Sequence, residues 1–231
     1  MSVTRRVRSK NPLIAREAYP FLLITGVPCL ILLVLGRSDG SMWLQGLGAL
    51  LFVLTAFIAF FFRDPDRITP AGENLCVSSG DGKVVAIEEV EDEWVGRALQ
   101  VSVFLSVFNV HVNRIPCSGK VKSVDYCPGK FRLAFLDKAS EDNEHTVVRI
   151  DGAGYRMAVK QIAGFVARRI VCRLEPQQSV TAGERYGLIR FGSRTDHILP
   201  AGSDVKVSLG DRVKAGETII GVIDNEKIVH S

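Results

Sequence analysis

Two apolar runs near the N-terminus constrain this chain more than any other feature. Residues 21–35 (FLLITGVPCLILLVL) are apolar but interrupted by Gly26 and Pro28, whereas residues 42–62 carry no charged side chain. A helix needs about 20 mostly apolar residues to cross a bilayer, because each residue rises about 1.5 Å against a hydrocarbon core about 30 Å thick. The second run meets that length. The first is marginal alone and reads as a kinked span, as the re-entrant arm of a hairpin, or as a signal-peptide core. The last fits least, because no small-residue cleavage site separates it from the next apolar run. Joined through Gly36 to Ser41, the two runs predict a helical hairpin with both flanks on one side. Arg5, Arg6, Arg8, Lys10 and Arg16 precede it and Arg63-Asp64-Pro65-Asp66-Arg67 follows, while the turn holds only Arg37 and Asp39. The positive-inside bias assigns the N-terminus and everything after residue 62 to the cytoplasm, at the cell (inner) membrane. The basic cluster would also be drawn to anionic lipid. The expected division is a basic arm and membrane hairpin over 1–62, and a soluble domain over 63–231.

That second part reads as β-rich. Gly82 to Ile87 is a run with β-branched residues, and Val101, Val103 and Leu105 alternate with Ser102, Phe104 and Ser106, the period of a strand. Val147 to Ile150 leads into Asp151-Gly152 and then Tyr155 to Lys160, which predicts a hairpin. Outside the apolar runs, the best short helix candidate is Phe165 to Ile170. A weak repeat links Val180-Thr-Ala-Gly-Glu184 with Val213-Lys-Ala-Gly-Glu217, each followed by an apolar run. A turn of this type feeding a strand is typical of the hammerhead hairpins in lipoyl- and biotinyl-carrier barrels, with Gly supplying positive φ. No convincing acceptor lysine lies at a hairpin tip between the repeats, so they are read as architecture. The expected fold class is therefore mainly β, a barrel- or sandwich-like domain with hammerhead-type hairpins behind a helical membrane hairpin.

The five cysteines are odd in number, scattered, and lack a C-x-x-C or a zinc-like pairing with histidine, so they predict reduced thiols and no metal site. The net charge of +4 is modest, and no nucleic-acid partner is expected.

The stretch richest in chemistry is Arg190-Phe-Gly-Ser-Arg-Thr-Asp196. A Gly-Ser pair usually marks a turn, and Thr195 stands where a G-x-S-x-G nucleophile elbow needs glycine. The wider context changes its weight. Phe62-Arg-Asp-Pro65, Gly80-Asp-Gly-Lys-Val84, Phe108-Asn-Val-His-Val-Asn-Arg-Ile-Pro116, Asn143-Glu144, Ile162-Ala-Gly164, Ala167-Arg-Arg-Ile170 and Phe191-Gly-Ser193 occur in this order. In these motifs the chain resembles the phosphatidylserine decarboxylase family, in its short bacterial and archaeal branch.

The resemblance implies a proenzyme that cleaves itself between Gly192 and Ser193, giving a β chain, 1–192, and an α chain, 193–231, that stay together as a heterodimer. Ser193 would attack the Gly192 carbonyl, and the resulting ester would eliminate and hydrolyse to a covalent pyruvoyl group. A residue without Cβ suits the strained backbone and open carbonyl this requires. The pyruvoyl would form a Schiff base with the amine of phosphatidylserine, take up electrons as CO2 leaves, and release phosphatidylethanolamine. Asp81 matches the family's acidic position in self-cleavage, though a turn aspartate between glycines reads the same way. His111 matches the family's proton donor, though a core histidine on a strand would look alike. Longer relatives place a second histidine three residues on, where this chain has Arg114. Either His111 serves both steps or His197 or His145 assists. Arg114, Arg168, Arg169 and Arg194 are candidate ligands for the phosphate and carboxylate, since guanidinium binds oxyanions in pairs. Other readings are a pyruvoyl decarboxylase of a soluble amino acid, which would need no tether, and a non-enzymatic membrane-anchored carrier-like module. The sequence leaves higher assembly open.

Overall fold

The computed structural model describes residues 4–7, 13–72, 74–129, 143–164, 170–190 and 192–224, the first of these by backbone alone. The chain forms two compact units: Lys10–Pro65, and Asp66–Ser231 together with Met1–Ser9. The N-terminal stretch expected to belong with the hairpin thus contributes a strand to the β-rich unit.

The first unit is an antiparallel pair of helices, α1 (Tyr19–Ser38) and α2 (Met42–Phe61). Helix α1 continues through Gly26 and Pro28, so the interruption read from the sequence does not end it. Small residues bring the helices close. A Cβ on Gly36 would lie 2.8 Å from the Gln45 backbone nitrogen, and one on Gly48 2.7 Å from the Leu33 side chain. Polar groups meet across the seam, Gln45 Nε2 donating to the Gly36 carbonyl at 3.0 Å and Thr55 Oγ1 to Thr25 Oγ1 at 2.9 Å. Leu23, Ile24, Leu30, Leu50, Phe52 and Val53 point outward and are exposed. Both helices are long and apolar enough to cross a membrane.

The second unit is antiparallel β. In chain order its strands are β1 (Thr4–Val7), β2 (Arg67–Pro70), β3 (Leu75–Val77), β4 (Gly82–Asp92), β5 (Gly96–Leu105), β6 (Val112–Arg114), β7 (Gly119–Cys127) and β8 (His145–Asp151). They continue as β9 (Arg156–Ala163), β10 (Ile170–Cys172), β11 (Ser179–Val180), β12 (Arg185–Ile189), β13 (Ser193–Pro200), β14 (Asp204–Val205), β15 (Arg212–Val213) and β16 (Ile219–Val222). The main sheet runs β11-β7-β8-β9-β13-β5-β4-β15 and curls over the core; β10-β12-β6 and β14-β16-β3 form smaller sheets, and β1 pairs with β2. The alternating valines of β5, with Val148, Ile150, Met157, Val159 and Leu199, fill that core. The hairpin predicted at Asp151-Gly152 is the β8–β9 turn. Of the helix predicted at Phe165 to Ile170, residues 165–169 lie outside the described residues, and Ile170 opens β10.

The repeat proves larger than the sequence suggested. Gly183 and Gly216 both adopt positive φ, +83° and +73°, as the two turns require. Their amides donate to equivalent carbonyls, Gly183 to Ile115 and Gly216 to Ser78. Gln177 and Gly210 donate in the same way to Val121 and Val84. The repeat therefore includes Gly82-Lys83-Val84 and Gly119-Lys120-Val121, which open β4 and β7, and a bulge follows each of these triplets. Asp81 and Ser118 are twins in this scheme: Asp81 Oδ1 accepts from Ala215 N at 2.7 Å, and Ser118 Oγ from Ala182 N at 3.0 Å.

Candidate active site

Strand β13 lies inside the main sheet, paired with β5 on one side and β9 on the other, and every residue of it is buried. Ser193 opens the strand, opposite Leu105 and Ala163. Gly192, just before it, adopts φ +54°, a left-handed conformation that disfavours any side chain. Because side chains alternate along a strand, Ser193, Thr195 and His197 share one face, and Arg194, Asp196 and Ile198 share the other.

His111 reaches Ser193 from the segment after β5. That segment is a tight turn: Asn109 Oδ1 accepts from the Ser106 backbone N–H at 2.8 Å and from Ser106 Oγ at 2.7 Å, and Asn109 N–H returns to the Ser106 carbonyl at 2.9 Å. The same carbonyl lies 3.0 Å from His111 Nε2. A carbonyl only accepts, so Nε2 carries the proton and Nδ1 presents a lone pair. That unprotonated Nδ1 is 3.5 Å from Ser193 Oγ, a long contact that a small movement of either side chain would close.

A buried polar network backs this face. Gln161 Nε2 donates to Asn113 Oδ1 at 2.8 Å, and Asn113 Nδ2 to the Ser79 carbonyl at 3.4 Å. Ser79 N–H donates to His197 Nε2 at 2.7 Å, and His197 Nδ1–H to the Val101 carbonyl at 3.1 Å. With both ring nitrogens engaged by backbone, His197 is a strut between the Ser78–Asp81 loop and β5. Burial pushes its imidazole down to about 4, so it is neutral at physiological pH. His145 Nδ1 donates to the Asn143 carbonyl at 2.7 Å.

The other candidates sit as follows. Asp81 accepts from Arg67 Nη2 at 3.0 and 2.8 Å, besides the Ala215 amide, and Arg67 also meets Glu217 at 3.3 Å. Its hydrogen bonds among the described residues thus join the loop to β2 and to the Ala215 turn. Arg114 is buried: its stem packs against Gly216, and Nη1 donates to the Gly183 carbonyl at 3.1 Å, between the two repeat turns. Arg194 is directed away from Ser193 Oγ by the strand alternation, and its guanidinium meets Asp196 and Ser102. Arg168 and Arg169 lie outside the described residues. Sequence reasoning gave no role to Ser106 and Asn109, although Asn109 lay within a quoted motif.

The model of the family described as phosphatidylserine decarboxylase matches residues 54–221, which contain the whole Ser193–His111 constellation. The phosphatidylserine decarboxylase proenzyme of Geobacter sulfurreducens is 45% identical over 219 residues, covering 94% of this chain and 100% of that protein. The chain belongs to the phosphatidylserine decarboxylase family. Proteins of the same name from Cupriavidus pinatubonensis and Burkholderia mallei are 44% and 43% identical, each over 94% of this chain and 98% of the relative. Such coverage extends the likeness beyond the β-rich unit into the apolar helices. The five cysteines are free, and burial raises the thiols of Cys76 and Cys117, the latter to about 12, so both are inert.

Proposed function

We propose that this chain is the proenzyme of a phosphatidylserine decarboxylase that matures by cutting its own backbone between Gly192 and Ser193. The observation that carries the reading is the unprotonated His111 Nδ1 facing Ser193 Oγ, beside a left-handed glycine, in a chain of this family. His111 Nδ1 takes the Oγ proton as Oγ attacks the Gly192 carbonyl carbon. The C–N bond breaks and the residue 193 nitrogen leaves with a proton from His111, giving an ester. Loss of the residue 193 Cα proton expels the Gly192 carboxylate as the β-chain end. One water then replaces the nitrogen, which departs as ammonia.

The site fits the resulting pyruvoyl group, because it replaces a fully buried serine at the head of a strand held on both sides. The group supplies a carbonyl that condenses with the substrate amine and accepts the electron pair left when CO2 departs. His111 then stands on the correct face to return a proton to the substrate Cα. Asp81 acts in self-cleavage as a positioning residue, holding the Ser78–Asp81 loop through Arg67 and the Ala215 amide. Arg168 and Arg169 are assigned to the headgroup oxyanions on the family resemblance. The apolar hairpin anchors the enzyme at the inner membrane with the β-rich unit in the cytoplasm, and the products 1–192 and 193–231 remain associated. Phosphatidylserine vesicles and free serine, compared by CO2 release, test the substrate: turnover of vesicles alone is expected, and turnover of free serine alone would replace the reading with a soluble amino-acid decarboxylase.

A further inference from the structure

Arg194, a candidate substrate ligand by sequence, is bound in the structure by Asp196 and Ser102. Its side chain is 3% exposed, that of its partner Asp196 is 0% exposed, and the Arg194 Nε to Asp196 Oδ1 distance is 2.5 Å. Arg194 Nη2 donates to Ser102 Oγ at 2.7 Å, on the strand paired with β13. Asp196 Oδ2 is buried with no hydrogen-bond partner among the described residues, so Arg194 is the principal compensation for that carboxylate. The three side chains form one cluster on the face of the sheet opposite Ser193 Oγ.

We propose that Arg194 is a positioning residue, which with Asp196 and Ser102 clamps the new end of the α chain after cleavage. The inference rests on the self-cleavage reading above. Before the cut, residue 193 is held covalently from both sides. After it, the prosthetic group sits at a free chain terminus, the part of a strand that frays first. A slip of one residue would turn the group to the wrong face of the sheet, because side-chain direction alternates. Fixing residues 194 and 196 on one face fixes residue 193 on the other, toward His111. A buried ion pair suits this task, since its geometric demand sets register even where an apolar pair would stabilise equally well. It also accounts for so polar a cluster on a buried face of the sheet.

The test uses the full-length enzyme in lipid nanodiscs. Removing Arg194 alone strands Asp196, so the main variant is Arg194→Met/Asp196→Asn, which removes both charges and leaves none uncompensated. Self-cleavage is read by intact mass, pyruvoyl content by borodeuteride reduction, and mobility by hydrogen exchange in the peptide spanning 195–200. The double variant is expected to cleave and to hold wild-type pyruvoyl content. Exchange at the strand's start rises about tenfold, and kcat per pyruvoyl falls about tenfold with KM nearly unchanged, as misplacement of a reacting group implies. Arg194→Lys, which keeps the charge, recovers part of both. Wild-type exchange and wild-type kcat per pyruvoyl in the double variant would overturn the clamp. So would a folded double variant that fails to cleave, since the pair would then act before the cut. A wild-type enzyme lacking a blocked 193–231 chain would instead sink the maturation reading, and that measurement comes first.

Discussion

His111 has its tautomer chosen by the backbone. The Ser106 carbonyl holds the proton on Nε2, and the Asn109 side chain locks the turn that presents that carbonyl. Ser193→Ala should remove both cleavage and CO2 release, and His111→Ala should slow cleavage by about a hundredfold or more, the usual worth of a general base. Gel separation of the chains over time measures both; normal cleavage in His111→Ala would remove it from maturation. His197 predicts a pH effect. Its folded value of about 4 lies below the unfolded value of about 6.5, so the unfolded chain takes up the proton first as pH falls. Stability is whole above pH ~6.5 and declines by about 1.4 kcal/mol per pH unit toward pH 4, about 3 kcal/mol in all. Thermal melts of uncleaved Ser193→Ala protein between pH 7 and 4.5 should fall, and His197→Asn should flatten the fall. At this scale Ser193 and His111 were legible because each lies in a distinctive motif. Asp81 was legible only as a type of residue. Its ties to Arg67 and Ala215 depend on contacts 14 and 134 residues away along the chain, which no local pattern encodes.

Among the elements, the hammerhead turns were readable because Ala-Gly-Glu recurs intact at 182–184 and 215–217. Their partners were not, since Gly82-Lys83-Val84 and Gly119-Lys120-Val121 share only three residues and lie in a different part of the chain. Pairing across the fold reveals them as one duplicated unit. Gly216→Ala is the test of that architecture. The substituted residue would have to hold φ +73°, and its Cβ would meet the Arg114 stem at 2.8 Å, so a loss of about 2–3 kcal/mol is expected by denaturant unfolding of the Ser193→Ala protein. An unchanged midpoint would deny the turn its role. Helix α1 shows the opposite limit of local reading. Gly26 and Pro28 are poor helix residues, yet the apolar stretch around them and the packing against α2 carry the helix through.

For the whole molecule, the apolar hairpin and the β-rich unit were both expected from the hydrophobic patterning, down to the period-2 runs of β4 and β5. The strand at Thr4–Val7 was not, because a short basic segment has no periodicity to betray its pairing with Arg67–Pro70. The outward leucines and phenylalanines of the hairpin predict an integral membrane protein. It should stay with membranes through alkaline carbonate and leave them only with detergent, as followed by blotting; release by carbonate would reduce the hairpin to a peripheral contact.

The proposed maturation turns Ser193 into a prosthetic group at the head of a buried strand. Intact mass spectrometry of the purified enzyme, with and without borodeuteride, tests it most directly. Two chains are expected, 1–192 and 193–231, the second blocked at its N-terminus and gaining the mass of a reduced carbonyl. A single chain retaining the Ser193 hydroxyl would contradict it.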